Sequence, residues 1–226
     1  TVDPRAELPP ERERVVQRHV LRMVESPLPA GTPEAPEFTG PVLVLGDNRL
    51  TDALVSRLQK AGTTVHRLPS SSGPEAAVAE VERLWSIAPA PHLFVTTARD
   101  EAAGGLSRGD WPSRSVHGVL TPFLVCQKWA QLVSDAKRTS SATLVGVTAL
   151  GGDFGVSGRV HSFEGGGITG LFKGLRRELS DMLVKVVDAP LEEAPDSLAA
   201  VVLKEVAAQQ GPLEVGSTRG QRSIVQ

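Results

Sequence analysis

From Pro41 onward, short apolar runs alternate with segments whose apolar residues recur every three to four positions. That alternation restricts the chain to a layered α/β fold. Val42-Leu43-Val44-Leu45 is apolar throughout, the pattern of a strand covered on both faces. Leu50, Ala53, Leu54 and Leu58 then follow helical spacing up to Gly62, which is placed to end the helix. The same reading gives strands at 63–68, 92–96, 142–147, 184–188 and 213–215. Helices are expected at 74–86, 113–136, 166–179 and 196–209, with Pro74 in a first turn and Pro122 kinking or splitting the long third helix. Parallel strands need crossover connections, and right-handed crossovers favour a doubly wound, Rossmann-like order. Only one helix separates the second strand from the third. One strand–helix unit of the usual cofactor-binding half is therefore missing, and the sheet is expected to be truncated.

The first forty residues form a different region. Seven prolines, from Pro4 to Pro36, rule out a long helix. Val16, Val20 and Val24 alternate with other residues as a half-buried strand would, over about 15–24, and residues 25–40 read as an extended linker. A lone strand is unstable in water. It either caps this domain's own sheet or pairs with another domain or chain. The expected organisation is thus a proline-rich segment at 1–40 and a truncated Rossmann-like domain at 41–226.

Composition excludes several functions. With 24 basic and 26 acidic residues the net charge is −2, which gives no drive toward nucleic acid or anionic membrane. No apolar run approaches the roughly 20 residues of a spanning helix. The chain opens without a charged-then-apolar leader, and its single cysteine, Cys126, forms no internal disulfide; the expected location is the cytoplasm. No His/Cys spacing suits a metal site. Tyrosine is absent altogether, which excludes any reductase that depends on a tyrosine acid.

In a doubly wound sheet the first strand leads into a glycine turn whose N–H groups reach a pyrophosphate at the helix N-terminus. The turn here reads Gly46-Asp47-Asn48-Arg49-Leu50-Thr51-Asp52. In the G-x-G-x-x-G spacing only Gly46 is retained, and Asn48 and Thr51 hold the other positions. Side chains then fill the space of a phosphate, and Asp47 or Asp52 adds like charge. Arg49 could replace lost donors; the simpler expectation is a turn that joins strand to helix.

The helix Gly165-Gly166-Gly167-Ile168-Thr169-Gly170-Leu171-Phe172-Lys173-Gly174-Leu175-Arg176-Arg177-Glu178-Leu179 and the apolar strand after it are similar to the helix that follows the active site in short-chain dehydrogenases. The triple glycine, Leu171-Phe172-Lys173, Leu213-Glu214-Val215-Gly216 and Gly220-Gln221-Arg222 more narrowly resemble the ketoreductase region of iterative polyketide and polyunsaturated fatty acid synthases. The resemblance runs from about Arg18 to the C-terminus. In the G-x-x-x-G-x-G spacing of that family, the glycine positions after Gly46 hold Leu50 and Asp52. Active members place a serine at the end of the central strand, a tyrosine thirteen residues on, and a lysine four further. The tyrosine delivers the proton, the lysine lowers its pKa, and the serine bonds the substrate oxygen. Those positions hold Thr148, His161 and Gly165.

The resemblance implies a modular ketoreductase built from two similar halves. The first is a truncated structural half without cofactor or catalytic residues; the second binds NADPH and reduces a carrier-bound β-keto group. This chain resembles the first half, with no cofactor of its own and with the catalytic half of the same polypeptide as partner. Leu171, Phe172, Leu175, Trp129, Phe123, Leu124, Trp111 and Trp85 are candidates for core or interface. Two other readings stand beside it. A free-standing enzyme would use Thr148, His161 and Arg159 or Glu164 in a pocket at the strand ends, and plugging by Leu50, Phe154 or Phe163 would exclude it. A docking module would meet the acidic surface of an acyl-carrier domain with Lys173, Arg176, Arg177 and Arg159.

Overall fold

A computed structural model describes residues 20–68, 70–99, 111–158 and 160–226. In chain order the elements are β1 (Met23–Glu25), β2 (Val42–Leu45), α1 (Arg49–Lys60), β3 (Val65–Leu68), α2 (Pro74–Ile87) and β4 (His92–Val95). There follow α3 (Trp111–Ser115), a π-helical turn (Val116–Leu120), α4 (Thr121–Asp135), β5 (Thr143–Thr148), α5 (Glu164–Glu178), β6 (Leu183–Asp188), α6 (Pro195–Ala207), β7 (Glu214–Thr218) and β8 (Gln221–Val225). Among these residues the strands make one eight-stranded sheet in the order β1-β8-β7-β6-β5-β4-β2-β3. It is parallel from β3 to β7, and β8 and β1 are added antiparallel. This is the Rossmann-like α/β architecture that the alternating pattern predicts.

Strand periodicity divides the core between two faces. Leu43, Leu45, Leu93, Val95, Leu144, Val184 and Val186 point toward α2, α4 and α5, whose Val81, Trp129 and Phe172 are buried against them. Val42, Val44, Phe94, Val145, Val147 and Val187 point the other way, onto Leu54 and Leu58 of α1 and Leu198 and Val202 of α6. The winding reverses at β2, which pairs with β3 on one side and β4 on the other. Beyond β2 lies β3 alone, where a full dinucleotide-binding sheet carries two strands.

Two expectations change, and one of the two outcomes expected at Pro122 is seen. The N-terminal strand is shorter and later than 15–24: Met23–Glu25 pairs with β8, residues 20–22 precede it, and 15–19 lie outside the described residues. It caps the chain's own sheet, where Arg222 on β8 donates to the Ser26 carbonyl and pairs with Glu205 on α6. The long third helix divides at Pro122. Proline has no N–H to continue an i→i+4 ladder, and the chain widens to a π turn in which the Thr121 N–H reaches the Val116 carbonyl. The final strand extends to Thr218 and folds back as β8, a hairpin absent from the sequence reading. Arg219 and Gly220, at φ 50° and 79°, make its turn.

Candidate functional site

The switch point between β2 and β4 is where a sheet of this order binds its ligand, and here the turn after β2 is stitched together by side chains. Gly46 has φ 147°, and a Cβ on it would lie 2.1 Å from Thr96 Oγ1. Asn48 caps α1: its Oδ1 accepts from the Thr51 N–H at 3.1 Å, and its Nδ2 donates to the Thr96 carbonyl at 2.9 Å. The Thr51 and Thr96 hydroxyls are 2.7 Å apart. One donor of the helix N-terminus, the Thr51 N–H, is therefore taken by the Asn48 side chain. Asp47 accepts from Ser70 Oγ at 3.2 Å and from the Ser71 N–H at 3.1 Å. Burial alone would raise its pKa, but these bonds and the Arg67 charge outweigh it and hold the carboxyl below its ordinary value. Asp52 is exposed and pairs with Arg67 at 2.6 Å. Leu50 is buried in the core against α6.

At the ends of β5 and β6, Thr148 and Gly165 come together while the His161 side chain turns away. Thr148 is fully buried, and its hydroxyl donates to Asp188 Oδ1 at 2.7 Å. Asp188 also receives the N–H groups of Leu150 at 2.6 Å, Gly152 at 2.7 Å and Phe154 at 3.0 Å. His161 faces Glu192 instead, with Nε2 at 3.3 Å from the carboxylate, both side chains exposed. Gly165 is buried, and a Cβ there would stand 3.0 Å from Thr148 Cβ and from Leu150 Cγ, so a lysine has no room. Glu164 is bound bidentately by Arg114 at 2.7 and 2.8 Å and receives the Ser162 hydroxyl at 2.7 Å. Burial would raise its pKa, yet Arg114 and Ser162 hold it low.

The crevice is filled by a residue that no motif pointed to. Arg99, four residues past the end of β4, is 5 % exposed. Nη1 donates to the carbonyls of Thr148 at 2.7 Å and Ala189 at 2.9 Å; Nη2 donates to Pro190 at 2.8 Å and Leu191 at 3.3 Å. Burial lowers its pKa to about 10, against the opposing pull of Asp188, Glu193 and Glu192, so it stays charged at neutral pH. Between Asn48, Arg99, Leu191 and Leu198 the described residues leave about 20 Å³, the room of about one water. Of the three residues whose plugging would exclude a free-standing enzyme, none fills the crevice as Arg99 does. Leu50 borders this space, Phe154 packs on the opposite core, and Phe163 is exposed elsewhere. The available signal was a lone arginine just past an apolar strand at the switch point, and a lone aspartate closing β6.

Of the other candidates, Trp129, Phe172 and Leu175 are core, and Trp85 and Leu171 pack against it. Trp111 and Phe123 are half-exposed, with Leu120 and Phe163, along an apolar groove of about 520 Å³ between α3, α4 and α5. The basic set is largely engaged: Lys173 pairs with Glu214 at 2.8 Å and Arg176 donates to the Ser180 and Met182 carbonyls. Arg177 is exposed, and Arg159 lies outside the described residues. Among the described residues there is no cluster of three metal-ligating side chains and no helix long and apolar enough to cross a membrane.

No known family profile matches the sequence, and no curated protein does. Solved structures share the fold. One, described as the adenylation, ketoreductase and pseudo Asub multidomain structure of a keto acid-selecting NRPS module, is similar at 16 % identity and TM-score 0.71, over 91 % of this chain and 18 % of that one. A-type ketoreductases from a modular polyketide synthase are similar at 20 % identity and TM-score 0.59, over 92 % of this chain and 42 % of theirs. A metagenomic short-chain oxidoreductase in complex with NADP gives 19 % identity and TM-score 0.55, over 78 % and 84 %. The chain thus spans less than half the length of the first two and has the Rossmann-like fold of ketoreductase and short-chain oxidoreductase structures.

Proposed function

We propose that this chain is the structural, non-catalytic half of a ketoreductase region in a multidomain polyketide or polyunsaturated fatty acid synthase of the cytoplasm. Its role there is to support an adjacent half that binds NADPH and reduces a β-keto thioester. The observation that carries this reading is the occupied switch point. The turn is tied up by its own side chains, Asn48 taking the Thr51 N–H and bonding Thr96, and Arg99 takes the carbonyls at the strand ends. The coverage of 42 % of modular ketoreductase chains fits one half of a two-part enzyme. A free-standing enzyme finds less support, since the Thr148 hydroxyl is held by Asp188 and His161 faces Glu192. A carrier-docking role finds less too, because Lys173 and Arg176 are engaged within the chain.

Calorimetric titration of the isolated chain with NADPH tests the reading. No saturable heat is expected, and co-expression with a catalytic ketoreductase half is expected to raise that half's soluble yield and its thioester reduction. Saturable NADPH binding by this chain alone, or its oxidation of NADPH with a ketone thioester, overturns the proposal.

A further inference from the structure

Two buried ions sit at the carboxyl ends of the central strands, and each is solvated almost wholly by backbone. Asp188 collects three N–H groups and one hydroxyl from the β5 side. Arg99 collects four carbonyls, one at the end of β5 and three from the segment after β6. The acceptors divide two and two between the terminal nitrogens, an arrangement that suits a planar fork. Pro190 carries no N–H, so its part of the segment can be tied down only through its carbonyl. The segment's own link to β5 is the Ala189 N–H to the Thr148 carbonyl, at 3.3 Å.

We infer that these four carbonyls, with Asp188 behind them, form a guanidinium receptor that the chain fills with its own Arg99, strapping Ala189–Leu191 across the switch-point crevice. An apolar filler of equal length would occupy the volume but take the charged donor from all four carbonyls and leave those of Ala189 and Leu191 unpaired, since Thr148 keeps the Ala189 N–H and Pro190 the Glu193 N–H. A lysine would keep the charge without the planar fork. The inference rests on the reading of the crevice as a non-nucleotide site and names what holds it closed. NADPH titration of the unaltered chain addresses that reading, whereas variants at Arg99 address the strap.

Hydrogen exchange of the Ala189 and Glu193 amides, which bond the Thr148 and Pro190 carbonyls, is the test, on the full chain and its R99M, R99K and R99A variants. R99M should exchange there about tenfold faster or more, the least expected for losing one hydrogen bond to a charged group. R99K should fall between R99M and the unaltered chain. In R99A, millimolar ethylguanidinium should restore protection saturably, while urea and sodium chloride at equal concentration should not. Protection in R99M within about twofold of the unaltered chain overturns the inference, as does an opened R99A segment that ignores ethylguanidinium. Should the variants fail to fold, NMR of the unaltered chain decides. Resolved, slowly exchanging Arg99 Nη protons support the strap, and a single averaged, fast-exchanging signal overturns it.

Discussion

Lowering the pH from 8 to 5 probes a single residue on β4. His92 is 3 % exposed, both of its ring nitrogens are without a hydrogen-bond partner among the described residues, and the Phe38 ring lies against it at 4.6 Å. Burial with no acceptor to stabilise the cation pushes its pKa from 6.5 down to about 4. The unfolded chain therefore takes up a proton below pH 6.5 that the folded chain refuses. Stability falls as pH drops from 6.5 toward 4 and levels off below; above 6.5 this group contributes no slope. At about 1.4 kcal/mol per pKa unit the full loss is about 3 kcal/mol. By pH 5.5 it is about 1 kcal/mol. Asp47 and Glu164, whose carboxyls are held low, add their own loss only nearer pH 4.

Urea melts followed by the fluorescence of buried Trp129, taken between pH 8 and pH 5, measure this directly. The control is His92→Leu, which removes the titration and fills similar space. The original chain should lose stability below pH 6.5 relative to His92→Leu, by about 1 kcal/mol at pH 5.5. The other histidines are common to both proteins and cancel in the difference. At pH 8 the variant should be at least as stable, since leucine leaves no buried nitrogen unpaired. Parallel pH profiles for the two proteins would refute the argument.

Other substitutions read the packing at the strand ends. Gly165→Ala places a Cβ against Thr148 and Leu150 and should cost about 1–3 kcal/mol by calorimetry; an unchanged melting temperature would contradict the tight fit. Thr148→Val removes one of four donors to Asp188 and should cost about 1–3 kcal/mol in urea melts while leaving the NADPH titration blank. Arg114→Ala strands a buried Glu164 carboxylate and should cost about 3 kcal/mol, and adding Glu164→Ala should recover part of it. A double variant no better than Arg114→Ala would show that the charge is not what matters there.

Much of the fold was legible because strands covered on both faces must be apolar along their whole length. Val42–Leu45, bounded by Pro41 and Gly46, can hardly be anything else. The edge was less legible for the same reason. β1 and β8 are half-buried, so Met23–Glu25 and Gln221–Val225 mix apolar with charged residues and carry no continuous run. The turn itself has φ > 0 at both Arg219 and Gly220, and arginine, unlike asparagine or glycine, does not announce such a position. Pro122 signalled a break in the long helix, but a sequence does not say whether the ladder ends or widens by one residue.

The site was legible in position and opaque in direction. Spacing located Thr148, His161 and Gly165, yet which way a hydroxyl or imidazole turns is decided by Asp188 and Glu192, forty and thirty-one residues away. Arg99 sits in no motif, and its role follows from a requirement of the backbone. A sheet that ends in a ligand crevice turns N–H groups at a helix start and carbonyls at strand ends toward that ligand, and without one they still need partners. In the proposed reading Asn48 answers the first need, Arg99 the second, and Asp188 the amides of the β5 loop. Two of the replacements meet on one residue. Arg99 holds the Thr148 carbonyl while Asp188 holds the Thr148 hydroxyl, and Gly165 packs on the same side chain. Restoring lysine at Gly165 would therefore meet an occupied interior, and a tyrosine at exposed His161 would face no open crevice.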